Sequence, residues 1–402
     1  MKLTCLFFFT ILVSAGPSTR NVRFLSYPDF PDADSSWGSI GFSSRDNKVY
    51  VGVTNHRDRQ GLFEYDVRTG KLALCGFVAE MGHLRPWEWQ GKIHTQIVEG
   101  PDGGMYFGTD GGESREEDLK QHPNGYAGGY FFRWDPGSRH LTNLGAGLPY
   151  EGLKDIAVDR VDGTLLAVSY PQAHLLTYDP PRDHFSDLGR VGSGHVPRVI
   201  FTDRWGNIYY VDWRQRLIKY EHDTKKLLFN RDSLPAFPDT PGEDIITGIT
   251  AWAADAHSGT IYLITYGAKM LAFHPQEHGF GRVDDLGGIY DDAERPPYIY
   301  YCPNLAFHRN GMLYYFIGGH GSHAGRLPGT TLMEFDPHKR SKRALASFAL
   351  TVLSEATGSD VKDRDGNLYF AGRRDDPGIV KFGESGGNRP FLIVFNPEKE
   401  LE

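Results

Sequence analysis

A polar turn holding glycine or asparagine, followed by a short apolar strand, usually with tyrosine, returns along most of this chain. It reads "RDNKVYVGV" (45–53), "PDGGMYFGT" (101–109), "VDGTLLAVS" (161–169) and "RWGNIYYVD" (204–212). It continues as "HSGTIYLIT" (257–265), "RNGMLYYFI" (309–317) and "RDGNLYFAG" (364–372), seven copies 43 to 60 residues apart. An aromatic residue followed by Asp or Pro comes after most copies, as in "EYDVRTGKL", "RWDPGSRHL" and "TYDPPRDHF". Each unit therefore offers four short strands linked by tight turns, the signature of a propeller blade. One such sheet cannot bury both of its faces, so the units must stack into a ring. The expected fold is all-β, a seven-bladed β-propeller of four-stranded antiparallel blades. The segment "NVRFLSYPD" (21–29) is placed to add a closing strand to the last blade.

Composition agrees. Among 402 residues, 48 are glycine and 24 proline, and 13% are aromatic, which suits short strands and turns better than helices. A formal charge of −8 argues against nucleic acid as a general partner. Lys2, the apolar run "LTCLFFFTILVSA" and the small residues at its end describe a signal peptide over residues 1–15. That predicts one exported propeller domain over 16–402, periplasmic or extracellular, with no membrane span and a monomeric state. Cleavage removes Cys5 and leaves Cys75 and Cys302, too few for a disulfide framework.

Within a blade, the first strand begins at the rim where the second strand ends. Residues at those positions from all units should converge. They include Asn55 and His56, His94 and Asp110, Lys154 and Tyr170, then His195, Arg198, Asp212 and Trp213. Thr247 and Tyr266, Cys302 and His320, and Arg373 with Arg374 complete the set. The long connection 79–92 carries Trp87 and Trp89 to the same face, and paired tryptophans suit stacking on sugar rings.

Chemical motifs are few. "GESGG" (383–387) matches a nucleophile elbow only formally, because the strand-to-helix context is missing. Cys302 with His320 could hold zinc, since thiolate and imidazole together favour that ion, although a buried thiol beside loop histidines is the simpler reading. A rim of His, Tyr and Arg suits β-elimination on a uronic acid. A cation or Arg neutralises the sugar carboxylate while His or Tyr moves the C5 proton, and no cofactor is required.

"GKIHTQIVEGPDGGMYFGTDGGE", "GYAGGYFFRWDP", "LAVSYPQAHLLTYDP" and "HVPRVIFTDRWGNIYYVD" resemble the seven-bladed polysaccharide lyases, which include ulvan, rhamnose–glucuronate and oligogalacturonate lyases. The resemblance implies His94 as catalytic base or acid, Tyr170 as its partner and Arg198 as the carboxylate clamp. It implies Tyr266 near the sugar and places Asp110 and Tyr130 at family site positions, while rim and loop position add Trp87, Trp89, His195, Trp213 and Arg373 as substrate contacts, with an acidic polysaccharide or oligosaccharide as ligand. Asp110 and Tyr130 stand where that family carries histidines. Aspartate could instead hold Ca²⁺. The departures leave open a lyase with altered chemistry, another substrate, or a non-catalytic glycan- or protein-binding propeller. A lactonase-type hydrolase is a further alternative, disfavoured by the seventh repeat.

Overall fold

The computed structural model describes residues 20–111, 126–192, 199–212, 214–235, 248–291, 302–318, 329–379 and 387–401. The signal peptide expected over 1–15 lies outside them. Among the described residues, no helix is long and apolar enough to cross a membrane.

The repeats fold as antiparallel sheets. Blade one consists of Ile40–Ser43, Lys48–Thr54, Gln60–Asp66 and Lys71–Phe77, paired in chain order. In blade two the inner strand is split into Lys92–Ile93 and Val98–Glu99, both paired to Met105–Asp110. Blades three, four and five begin at Gly152–Val158, Phe201–Thr202 and Ile249–Ala254 and repeat the four-strand order.

The remaining strands depart from expectation. Five blades stand alone, and the strands of the last two sequence repeats form one continuous eight-stranded sheet. Its two antiparallel halves meet where Asn304–Phe307 lies parallel to Glu355–Ser359, with Asn304 opposite Gly358 and Leu305 opposite Ser359. The expectation of seven separate blades is thereby corrected. Two inner strands approach closely enough for their backbones to pair, and Asn304 ties them further by donating its Nδ2 to the carbonyls of Phe316 and Ala356. The outer edge of this sheet is Val22–Ser26, antiparallel to Asn388–Phe395. Phe24 packs edge-on against Phe348 and Phe391 there, so the start of the described chain seals its end.

The repeated turn has a physical cause. Asp203 accepts the backbone N–H groups of Trp205 and Asn207, the Asn207 amide and the Tyr209 hydroxyl. Asp363 does the same with Asp365, Asn367 and Tyr369. Gly206 and Gly366, at φ 86° and 82°, supply the left-handed step between them. The tyrosines are thus held at both ends, ring in the core and hydroxyl on the turn carboxylate.

Burial follows strand position. Every residue of the inner strand Gly152–Val158 is buried, whereas the outermost strand His184–Arg190 leaves His184, Asp187 and Arg190 exposed. The core lies between sheets, as where Tyr106 and Phe131 of blade two meet Ile156 and Tyr178 of blade three. Inner strands of neighbouring blades come into backbone contact. A Cβ on Gly41 would sit 1.8 Å from the Ile97 carbonyl oxygen. Gly41→Ala is accordingly expected to destabilise the protein by about 3 kcal/mol, an overpacking cost with no side chain able to yield. Urea unfolding followed by tryptophan fluorescence measures it, and an unchanged midpoint would deny this backbone-to-backbone contact.

Candidate functional site

Strand register brings the expected rim residues together. Lys92 lies opposite Asp110, Gly152 opposite Tyr170, Ile249 opposite Thr265 and Glu355 opposite Arg373. All sit at the end of the channel where the inner strands begin, here called the upper mouth.

A chain of contacts crosses that mouth. Lys154 of blade three places its Nζ 4.2 Å from the Tyr170 ring centre and 3.6 Å from the Asp110 carboxylate. Its backbone carbonyl accepts from His94 Nδ1 at 2.9 Å. His94 in turn stacks on Trp37, with ring centres 6.3 Å apart and planes 15° off parallel. Two cations lie over Trp37, Lys92 Nζ at 5.0 Å and the Arg373 guanidinium at 4.8 Å. Arg373 is paired with Glu355 at 2.5 Å and also donates to Ser35 Oγ. Lys92, Lys154, His94 and Asp110 are each at most 4% exposed. So many ionisable groups taken from water carry a large desolvation cost, which their pairing offsets.

Trp37 is fixed at its edge as well. Its Nε1–H donates to His56 Nε2 at 2.8 Å, and His56 Nδ1 lies 2.6 Å from Asp34 Oδ1. Nε2 must accept, so Nδ1 carries the proton and donates to Asp34. The imidazole is therefore neutral, and burial together with Lys92 and Arg373 lowers its proton affinity despite Asp34. With both nitrogens engaged, His56 positions Trp37 and is not available to move a proton.

His94 is held through Nδ1, which donates to the Lys154 carbonyl. Together with Trp37, Gln96, Asp155 and Thr357 it lines a cavity of about 30 Å³, the room of about one water and too little for a sugar ring. Below that cavity Gln96 and Asp155 tie neighbouring blades together across the channel. Trp252 Nε1–H donates to Gln96 Oε1 at 2.9 Å, and Gln96 donates its backbone N–H and its amide to Asp155. The Ile200 N–H adds a third bond to Asp155 at 2.7 Å.

The other expected site residues divide into groups. Trp89 donates Nε1–H to the Arg57 carbonyl and meets Tyr126 edge-on, anchoring its loop beside His56. Trp87 is 51% exposed with the Arg85 guanidinium 5.5 Å from its ring. Tyr130 is buried and donates its hydroxyl to Glu88; burial and that carboxylate push its phenol up to about 12. Tyr266 is buried in blade five. The Cys302 thiol is fully buried, donates toward the carbonyls of Asn304 and Phe316, and is pushed up to about 12 by burial. Those contacts pack the thiol against backbone carbonyls, and the expected partner His320 lies outside the described residues. Arg198, His195, Trp213 and His320 lie outside the described residues. Sequence reasoning passed over Trp37, Asp34 and Asp155. Trp37 stands three residues before an inner strand, so the rule that found His94 would have found it too.

Among the described residues, two mixed clusters of possible ligands occur: Asp223, Glu277 and His278, all exposed, and Asp159, Asp162 and His222. In the second of these Lys225 already pairs with both carboxylates, so a cation from the chain occupies that place.

No family model and no curated protein sequence matches the chain. Solved structures do resemble it. The structure titled RRP9 WD40 repeats aligns over 95% of this chain and 98% of its own, at 9% identity and a TM-score of 0.54. A chain of the mitotic checkpoint complex aligns over 97% of this one and 98% of its own, at 12% identity and a TM-score of 0.51. Likeness at that identity shows the propeller fold alone. The resemblance to seven-bladed polysaccharide lyases is corrected: a structure titled as WD40 repeats shares the fold, and the sheets do not form seven separate blades. The quoted stretches carry the turn and strand pattern that any four-stranded blade needs.

Asp155 offers a test of this tie across the channel. Burial pushes its carboxyl up to about 7, against the downward pull of the N–H groups it accepts. A raised carboxyl binds its proton more tightly folded than unfolded. Its stabilising contribution is then complete below pH ~4 and is lost as pH rises through ~7. The melting temperature of wild type minus that of Asp155→Asn should fall steadily across that window. A difference independent of pH would show the carboxyl to be unperturbed.

Proposed function

We propose that this protein is a non-catalytic binding propeller whose upper mouth receives an acidic saccharide chain. The observation that carries this reading is the pairing of indole rings with cations on one face: Trp37 under Arg373 and Lys92, and exposed Trp87 beside Arg85. An apolar sugar face stacks on indole while a neighbouring guanidinium or ammonium meets the carboxylate. Trp87 is the outer contact on this reading, and the Trp37 cluster is the fixed floor beneath it. The water-sized cavity at His94 supports recognition of the ligand's edge over its enclosure for chemistry. An extracellular or periplasmic glycan also suits the leader expected at residues 1–15.

A protein partner at the same mouth is the second reading, favoured by the fold neighbour solved as the mitotic checkpoint complex. Calorimetric titration separates the two. Oligogalacturonate, oligoglucuronate and a neutral malto-oligosaccharide of equal length are the ligands. Acidic chains should bind, weaken as salt rises, and be recovered at unchanged length. Trp87→Ala should weaken binding about tenfold, or ~1.4 kcal/mol. Absence of binding by every acidic chain at low salt would remove the saccharide reading.

A further inference from the structure

The opposite end of the channel carries a second concavity with different chemistry. It is a funnel of about 460 Å³, within the range of small-molecule sites. Ile40, Ile97, Ile156, Ile200 and Val361 form its walls, and Trp252 and Gln96 form its floor. The floor is the hydrogen-bonded Gln96–Asp155–Trp252 group, which lies between the funnel and the cavity at His94.

Carboxylates and cations both line it, but they are not equally committed. Asp203 accepts four hydrogen bonds within its own turn. Asp255 accepts from Ser258 Oγ and the His257 N–H. Asp360 pairs with Lys362 and accepts the backbone N–H groups of Ala254 and Phe307. Glu99 accepts from Ser43 Oγ and the Arg45 N–H. Arg160 and Arg204, in contrast, have no carboxylate partner among the described residues. Both are exposed, and the Arg204 guanidinium carbon lies over Trp205, 4.4 Å from the ring centre. A guanidinium over a ring keeps N–H groups available for a planar anion. The rim therefore offers two guanidinium groups without a carboxylate partner among the described residues, beside four carboxylates whose oxygens are already engaged in hydrogen bonds.

We infer that the lower funnel is a second binding site, for a small organic anion with an apolar body, such as an aryl carboxylate. The body lies against the isoleucine walls, and the carboxylate is held by Arg160 and Arg204. This site is independent of the saccharide reading of the upper mouth.

Titration calorimetry with 2-naphthoate and its neutral analogue 2-naphthylmethanol, on the full protein, tests it. Naphthoate should bind at least about tenfold more tightly than the alcohol, and the double variant Arg160→Ala/Arg204→Ala should erase that difference. Both arginines are exposed, so the variant should keep the wild-type melting temperature. Naphthoate should bind equally well with oligogalacturonate present, which locates it away from the upper mouth. Equal affinity of acid and alcohol for wild type would overturn the inference. So would a double variant that keeps its preference, or no binding at about 5 mM ligand.

Discussion

Each sheet of this protein has two apolar faces, and only a neighbouring sheet can cover them. That constraint dictates the ring, because any open arrangement would leave two faces and their edge strands in water. Closure is then a matter of which strand reaches last. Val22–Ser26 supplies it by pairing with Asn388–Phe395, and Phe24 carries the apolar part of that seam. The same crowding at the axis joins the last two repeats into one sheet. Inner strands that must converge on a narrow channel approach within backbone hydrogen-bonding distance, and at Asn304 and Gly358 they pair.

Convergence also explains why charge is buried at the upper mouth. Strand ends from blades one, two and three and from the terminal sheet are drawn to one place, and their first polar residues lose solvent together. Lys154 with Asp110 and Arg373 with Glu355 are ion pairs made across sheets or strands, while neutral His56 donates to Asp34. Such pairs add little net stability, since desolvation consumes most of the Coulombic gain. What they do is fix geometry. Trp37 is held at its edge by His56 and across its rings by His94, Lys92 and Arg373, so its orientation is set before any ligand arrives.

Much of the fold was legible because the turns are local. The spacing from Asp203 to Asn207 and Tyr209, repeated from Asp363 to Asn367 and Tyr369, is a hydrogen-bond circuit contained within seven residues. The convergence of His94, Asp110, Tyr170 and Arg373 followed from strand order alone. The joined sheet was not legible, since two residue pairs leave no periodic trace. The Trp37–His56–Asp34 chain was missed because its members meet only when blade one folds back on the segment before it. The family resemblance failed for a related reason. Glycine turns and tyrosine strands are what a blade requires physically, so they recur in propellers of any function and carry little information about the site.

The tie across the channel has a consequence for how the two mouths act. Gln96 bonds to Asp155 and Trp252 at once, so blade two, blade three and blade five are locked together at mid-channel. A ligand at one end then meets walls whose spacing is already set by groups at the centre. Coupling between the ends requires an element with two arrangements that both ligands bias. The only titratable group in that lock is Asp155, which burial holds near half-ionised at neutral pH. Losing or gaining one proton there changes what Gln96 and the Ile200 N–H bind to. Protonation of the Asp155 carboxyl is an element of that kind, because it changes the lock that spans the channel without moving the chain.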